Sequence, residues 1–83
     1  MNVPQVKKVE EIERWIVDWL ARELKTQPDK IRVDEEFVNL GLSSRKAVLL
    51  SGALEDWLGR ELDPSAAWDH PTIAELAKFL AST

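Results

Sequence analysis

Between about Lys8 and Lys25 the apolar side chains recur with a one-sided helical period. Val9, Ile12, Ile16, Trp19, Leu20 and Leu24 share a stripe, with Trp15 at its rim, while Glu10, Glu11, Arg14, Asp18 and Arg22 take the other side. A single helix cannot hide such a stripe from water, so this segment demands packing partners. Two further segments supply them. From Ser44 to about Gly59, Ala47, Leu50, Ser51, Leu54, Trp57 and Leu58 make an inner face. Arg45, Leu49, Gly52, Ala53 and Asp56 look outward. In "TIAELAKFLA", Ile73, Leu76, Ala77 and Leu80 point inward.

The ends of these segments carry stop and start signals. Pro28 is expected to end the first helix, since the residue before a proline is pushed out of the helical region. Ser43 is placed to cap the second helix, and Gly59 suits the left-handed position past its end. Thr72 and Glu75 have the spacing of a capping box. "DPSAAWD" reads as a turn or short helix before Pro71. The connection over residues 26–43 is unusually long for a compact domain. Its apolar residues Ile31, Val33, Phe37, Leu40 and Leu42 should pin it over the helices. No stretch alternates long enough to make a strand. The expected architecture is an all-α bundle of three long helices and one short one, with a long loop after the first. Residues 1–7 read as a linker and residues 8–83 as one domain.

Composition removes several classes of function. A chain of 83 residues buries only roughly 60% of its unfolded surface, so its core is thin. There is no Cys and one His, which excludes disulfides, thiolate metal sites, catalysis by a cysteine of the chain and His-rich metal clusters. A net charge of −4 argues against unspecific nucleic-acid binding, which needs a basic face. No apolar run is long enough to span a membrane, and "MNVPQVKKVEE" has no apolar core of a signal peptide. These features fit a monomer in a reducing, cytoplasmic setting.

The chemistry concentrates at "NLGLSSRKAVLL", residues 39–50. A nucleophilic serine needs a base in reach. The single histidine, His70, stands in a Pro-containing turn, and no carboxylate pair stands out. "LGLSS" lacks the second Gly and the preceding strand of a nucleophile elbow. Catalysis by this chain is therefore set aside. Ser43 caps, and Ser44 is then the first helical residue, facing outward at the positive end of a helix. Such an end favours a phosphate through its free N–H groups and dipole. Arg45 and Lys46 add positive charge beside it. Two serines sharing a capping task are also an ordinary arrangement, so the local features leave both readings open.

The longer pattern resembles the carrier-protein domains of polyketide and fatty acid synthases. That family has a Gly-Leu-Asp-Ser-Leu step opening its second helix, a Leu-Glu-x-x-x-Gly helix end, and an aromatic-Asp-x-Pro-Thr turn before its last helix. Here these stand as Gly41-Leu42-Ser43-Ser44-Arg45, Leu54-Glu55 leading to Gly59, and Trp68-Asp69-His70-Pro71-Thr72. "DEEFVNLG" is similar to the family's lead-in, and the likeness spans about residues 9–81. The resemblance implies that Ser44 receives 4′-phosphopantetheine through a phosphodiester, whose terminal thiol then holds acyl groups as thioesters. It implies a non-catalytic carrier served by a phosphopantetheinyl transferase, an acyl-loading enzyme (a fatty acyl-AMP ligase or an acyltransferase) and a ketosynthase. It also implies that Trp68 lies in the core.

Two positions depart from the family pattern. Ser43 replaces Asp, which keeps the cap and loses an acidic partner contact. Arg45 replaces Leu, making the start of this helix basic. Gly41-Leu42 favours the acyl type over peptidyl carriers, which usually have Gly-Gly. The run from Leu50 to Ile73 is similar to carriers that accompany fatty acyl-AMP ligases and modular polyketide synthases. Partners of a carrier must meet it near its arm, so Arg45, Lys46, Leu49, Gly52 and Ala53 are the expected docking residues. The alternatives are a peptidyl carrier domain, a non-covalent helical interaction domain docking through Leu49 and Ala53, and a helix-turn-helix nucleic-acid binder. Against the last, Glu55, Asp56 and Glu61 interrupt any basic stripe.

Overall fold

A computed structural model describes residues 7–82. Four α-helices are observed: α1 Val9–Glu23, α2 Ser44–Leu58, α3 Ala66–Asp69 and α4 Ile73–Ser82. Three are long and one is short, as the periodicity requires. Among the described residues there is no strand, only an isolated bridge between Glu36 and Thr72. The expected linker lies outside the described residues apart from Lys7, whose ammonium stands 4.9 Å from the centre of the Trp57 ring.

The apolar stripes meet in one core. Ile12, Ile16 and Leu20 of α1, Leu50 and Leu54 of α2, and Ile73, Leu76 and Leu80 of α4 are all buried there. Ala21 and Ala77 are buried too. Trp15 and Trp57 stack at the edge, with ring centroids 5.0 Å apart and planes inclined by 14°. At the start of α1 the Glu11 carboxylate accepts the Lys8 N–H at 3.1 Å, satisfying a donor that sits just outside the helix.

Pro28 does not end α1. The helix stops earlier, where Lys25 takes a left-handed φ of 55°. The Thr26 N–H then reaches back to the Ala21 carbonyl at 2.9 Å. This wraps the last turn as a glycine usually would, so α1 closes before the proline can act. Pro28 instead opens a single 3₁₀ turn, Pro28–Lys30.

The long connection is fastened at several points. Ile31, Phe37 and Leu42 are buried, with Val33 and Leu40 packed against the core. The Phe37 N–H donates to the Pro71 carbonyl at 2.8 Å, and the Ala74 N–H to the Val33 carbonyl at 2.9 Å. The loop is therefore sewn to the start of α4, where Thr72 Oγ1 accepts the Glu75 N–H at 3.0 Å. Between α2 and α3, Asp63 Oδ1 accepts the N–H and hydroxyl of Ser65 at 2.9 and 2.8 Å. Those donations hold the Asp63 carboxyl below the usual carboxylate range.

Trp68 corrects an expectation. It is 45% exposed, not buried. The short α3 turns Ala66 and Ala67 into the core instead, and in four residues it has no second inward turn for the indole. His70, beside it, stacks on Phe79 with ring centroids 4.2 Å apart and planes inclined by 18°.

Candidate functional site: the start of α2

The chain is aimed at α2 by a tight turn over residues 36–42. The Leu42 N–H donates to the Phe37 carbonyl at 3.0 Å, and the Gly41 N–H to the Val38 carbonyl at 3.2 Å. Gly41 has a φ of 94°. A Cβ there would meet nothing within 4 Å, so the position needs glycine for its backbone conformation and not for space. Leu42, buried, anchors the turn immediately before the serines.

The two serines are then given different tasks. Ser43 has extended backbone angles, and its hydroxyl accepts the Lys46 N–H at 3.2 Å. It is the N-cap. Ser44 is the first residue of α2, is exposed, and its hydroxyl has no hydrogen-bond partner among the described residues. The N–H groups of a first helical turn lack intrahelical acceptors and carry the positive end of the helix dipole. A free hydroxyl beside them suits a covalently attached phosphodiester.

Of the expected docking residues, Arg45 and Leu49 stand clear, Leu49 at 53% exposure. Gly52 is half-buried, and a Cβ built on it meets nothing within 4 Å, so the backbone there is open to approach. Lys46 differs. Its ammonium donates to the Glu23 carbonyl at 3.0 Å and stands 3.8 Å from that residue's carboxylate, closing the C-terminal end of α1. Ala53, two turns farther along that side of α2, is half-buried. Two exposed apolar residues were not singled out by the sequence pattern: Val38 at 62% and Val48 at 52%. Val48, one turn after Ser44 on an outward position, was the legible one.

The far end of α2 has its own geometry. Gly59 takes a φ of 73° and its N–H caps onto the Glu55 carbonyl at 2.8 Å. The Glu55 carboxylate accepts the Leu62 N–H at 2.7 Å, and an Arg60 Nη donates to the Leu80 carbonyl at 2.6 Å. The motif glutamate is thus a turn-holding residue. No cluster of His, Asp and Glu able to hold a metal occurs among the described residues.

The pattern of the phosphopantetheine attachment site family matches residues 14–80. The chain belongs to that family. It has the acyl-carrier fold, and its cofactor is 4′-phosphopantetheine. Over 72 residues it is 42% identical to a phenolphthiocerol/phthiocerol polyketide synthase of Mycobacterium tuberculosis, a match covering 87% of this chain and 4% of that synthase. The chain thus spans a small part of the curated relatives it matches. Among solved structures it is similar to an acyl carrier protein from Anabaena with a variant phosphopantetheinylation-site sequence. The two are 45% identical with a TM-score of 0.85, covering 99% of this chain and 93% of that one. A free-standing peptidyl carrier protein from Acinetobacter baumannii is 37% identical with a TM-score of 0.86, covering 90% and 94%.

Proposed function

We propose that residues 8–83 act as one acyl carrier domain whose 4′-phosphopantetheine arm is attached at Ser44. The observation that carries the reading is the division of labour between the serines: the Ser43 hydroxyl is bonded within its cap, while the Ser44 hydroxyl is exposed and without a hydrogen-bond partner among the described residues. When bound, the arm supplies the thiol on which acyl or polyketide intermediates are held as thioesters. The chain itself holds the arm at a rigid helix start, and no base or nucleophile of its own acts on the cargo. The chemistry belongs to partners: a phosphopantetheinyl transferase, an acyl-loading enzyme (fatty acyl-AMP ligase or acyltransferase), and a ketosynthase. The polyketide synthase relatives support this assignment, and the setting is a monomer in the cytoplasm. Arg45, Leu49 and Gly52 are the docking residues, with Lys46 and Ala53 contributing from the α1 side.

The test is intact mass after incubation with coenzyme A and a phosphopantetheinyl transferase. Wild type gains one arm, and Ser44→Ala gains none while melting at the same temperature. A Ser44→Ala protein that still gains the mass refutes the assignment. A peptidyl cargo is the second reading, favoured by the likeness to the Acinetobacter protein. Leu42, where peptidyl carriers have a second Gly, weighs for the acyl reading. Loading the modified chain with acyl and aminoacyl groups in parallel separates the two.

A further inference from the structure

Four large apolar side chains are left exposed among the described residues, and three of them, Val38, Val48 and Leu49, lie within six positions of Ser44 along the chain. Val38 lies in the turn that leads into α2. Val48 is one helical turn beyond Ser44, and Leu49 one turn beyond Arg45. Exposed apolar residues are ordinary one by one, but Val48 and Leu49 stand at adjacent positions one turn into α2, where an enzyme acting on Ser44 would cover them. The charges there are equally uneven. The first turn of α2 contains no acidic residue. Its two cations differ in use, because Lys46 is tied to Glu23. Arg45 is exposed and has no hydrogen bond or ion pair among the described residues. The nearest outward carboxylate on α2 is Asp56, eleven positions on, or about 16 Å along the axis.

An enzyme that transfers a group to Ser44 Oγ must place its active site over that atom. Arg45, the next residue, and Val48, one turn on, are the exposed side chains of α2 nearest that atom along the helix. Covering Arg45 with an apolar or basic surface would strand a desolvated cation or add like-charge repulsion. Resting on the assignment of Ser44 as the attachment point, we infer that the phosphopantetheinyl transferase serving this chain docks through an apolar hollow bordered by a carboxylate. The hollow takes Val48 and Leu49, with Val38 at its edge, and the carboxylate meets Arg45. Arg45 is then a specificity determinant that sorts transferases by charge.

The experiment uses the full chain, coenzyme A, and the transferase of the organism that makes it. Rates of mass gain are measured for wild type, Arg45→Gln, Arg45→Glu, Leu49→Ala and Ser44→Ala, with melting curves to show that each is folded. For wild type, kcat/KM should fall as salt is added. Arg45→Gln should flatten that dependence. Arg45→Glu should lower kcat/KM at low salt at least about tenfold and reverse its slope, since repulsion is what salt then screens. Leu49→Ala should raise KM with the salt slope kept. An Arg45→Glu rate equal to or above wild type overturns the inference. So does a salt response in Arg45→Gln matching that of wild type. Failure of wild type to gain mass, or a gain by Ser44→Ala, breaks the attachment assignment instead, and the two failures are read from different samples.

Discussion

The two ends of α2 are built on opposite principles. At the C-terminal end the polar groups are engaged inside the chain. Gly59 wraps the helix, the Glu55 carboxylate holds the Leu62 N–H, and Arg60 reaches the Leu80 carbonyl at the end of α4. At the N-terminal end one serine caps and its neighbour is left free, Arg45 has no partner among the described residues, and Val48 and Leu49 face water. Both ends belong to the same rigid helix, whose inner face is buried along its length by Ala47, Leu50, Ser51 and Leu54. The lesson is that a carrier can offer reactive and adhesive groups at one end because the other end and the core secure the fold without them.

Substitutions at the two ends should therefore register in different measurements. The largest effect on stability is expected for Glu55→Ala, which strands the Leu62 N–H in a half-buried turn. It should cost about 1.5–3 kcal/mol in urea unfolding, the range for a hydrogen bond to a charged group. That is a large share of a domain with about 5–10 kcal/mol in all. Modification of the protein that remains folded should proceed normally. Next comes Ser43→Ala at the opposite end, which removes the cap and should cost about 1 kcal/mol while the chain still accepts its arm. If it instead matches wild type in stability, the two serines are not divided as described. The smallest effect has the other sign. Gly52→Ala places a Cβ in open space on a regular helix and should raise stability by roughly 0.5–1 kcal/mol. If partners approach the backbone there, the same change slows acyl loading. Gain in stability with no loss of loading would remove Gly52 from the docking surface.

Much of this was legible in the residues. The stripes of α1, α2 and α4 predicted the centre of the buried set, Ile12, Ile16, Leu20, Ala47, Leu50, Leu54, Ile73, Leu76 and Leu80, because a 3.6-residue period has one geometric solution for a one-sided helix. Val9, Trp19, Leu24, Trp57 and Leu58 at the stripe edges are only half-buried, and Ala21 was not singled out. Ser43, Gly59 and Thr72 announced their helix ends, since caps depend on local chemistry alone. What was not legible depended on contacts distant in sequence. Lys46 looked like a free cation until the C-terminal end of α1 was seen to lie within its reach, 23 residues away. Trp68 was expected in the core because the resembled family's aromatic-Asp-x-Pro-Thr turn puts its aromatic there. The orientation of a four-residue helix is set by what packs behind it, and here Ala66 and Ala67 took the inward positions. Lys25 ended α1 in a left-handed conformation that nothing in its side chain advertises. Val38 was invisible for a related reason: an irregular loop has no period from which to read its exposed face.

Ser44, and not its neighbour, is proposed to bear the arm. The decisive experiment modifies wild type, Ser43→Ala and Ser44→Ala with coenzyme A and the transferase and locates the added group by fragmentation mass spectrometry. The division of the serines predicts the phosphopantetheine on Ser44 in wild type and in Ser43→Ala, and no addition to Ser44→Ala. An arm found on Ser43, or anywhere in the Ser44→Ala chain, would contradict it.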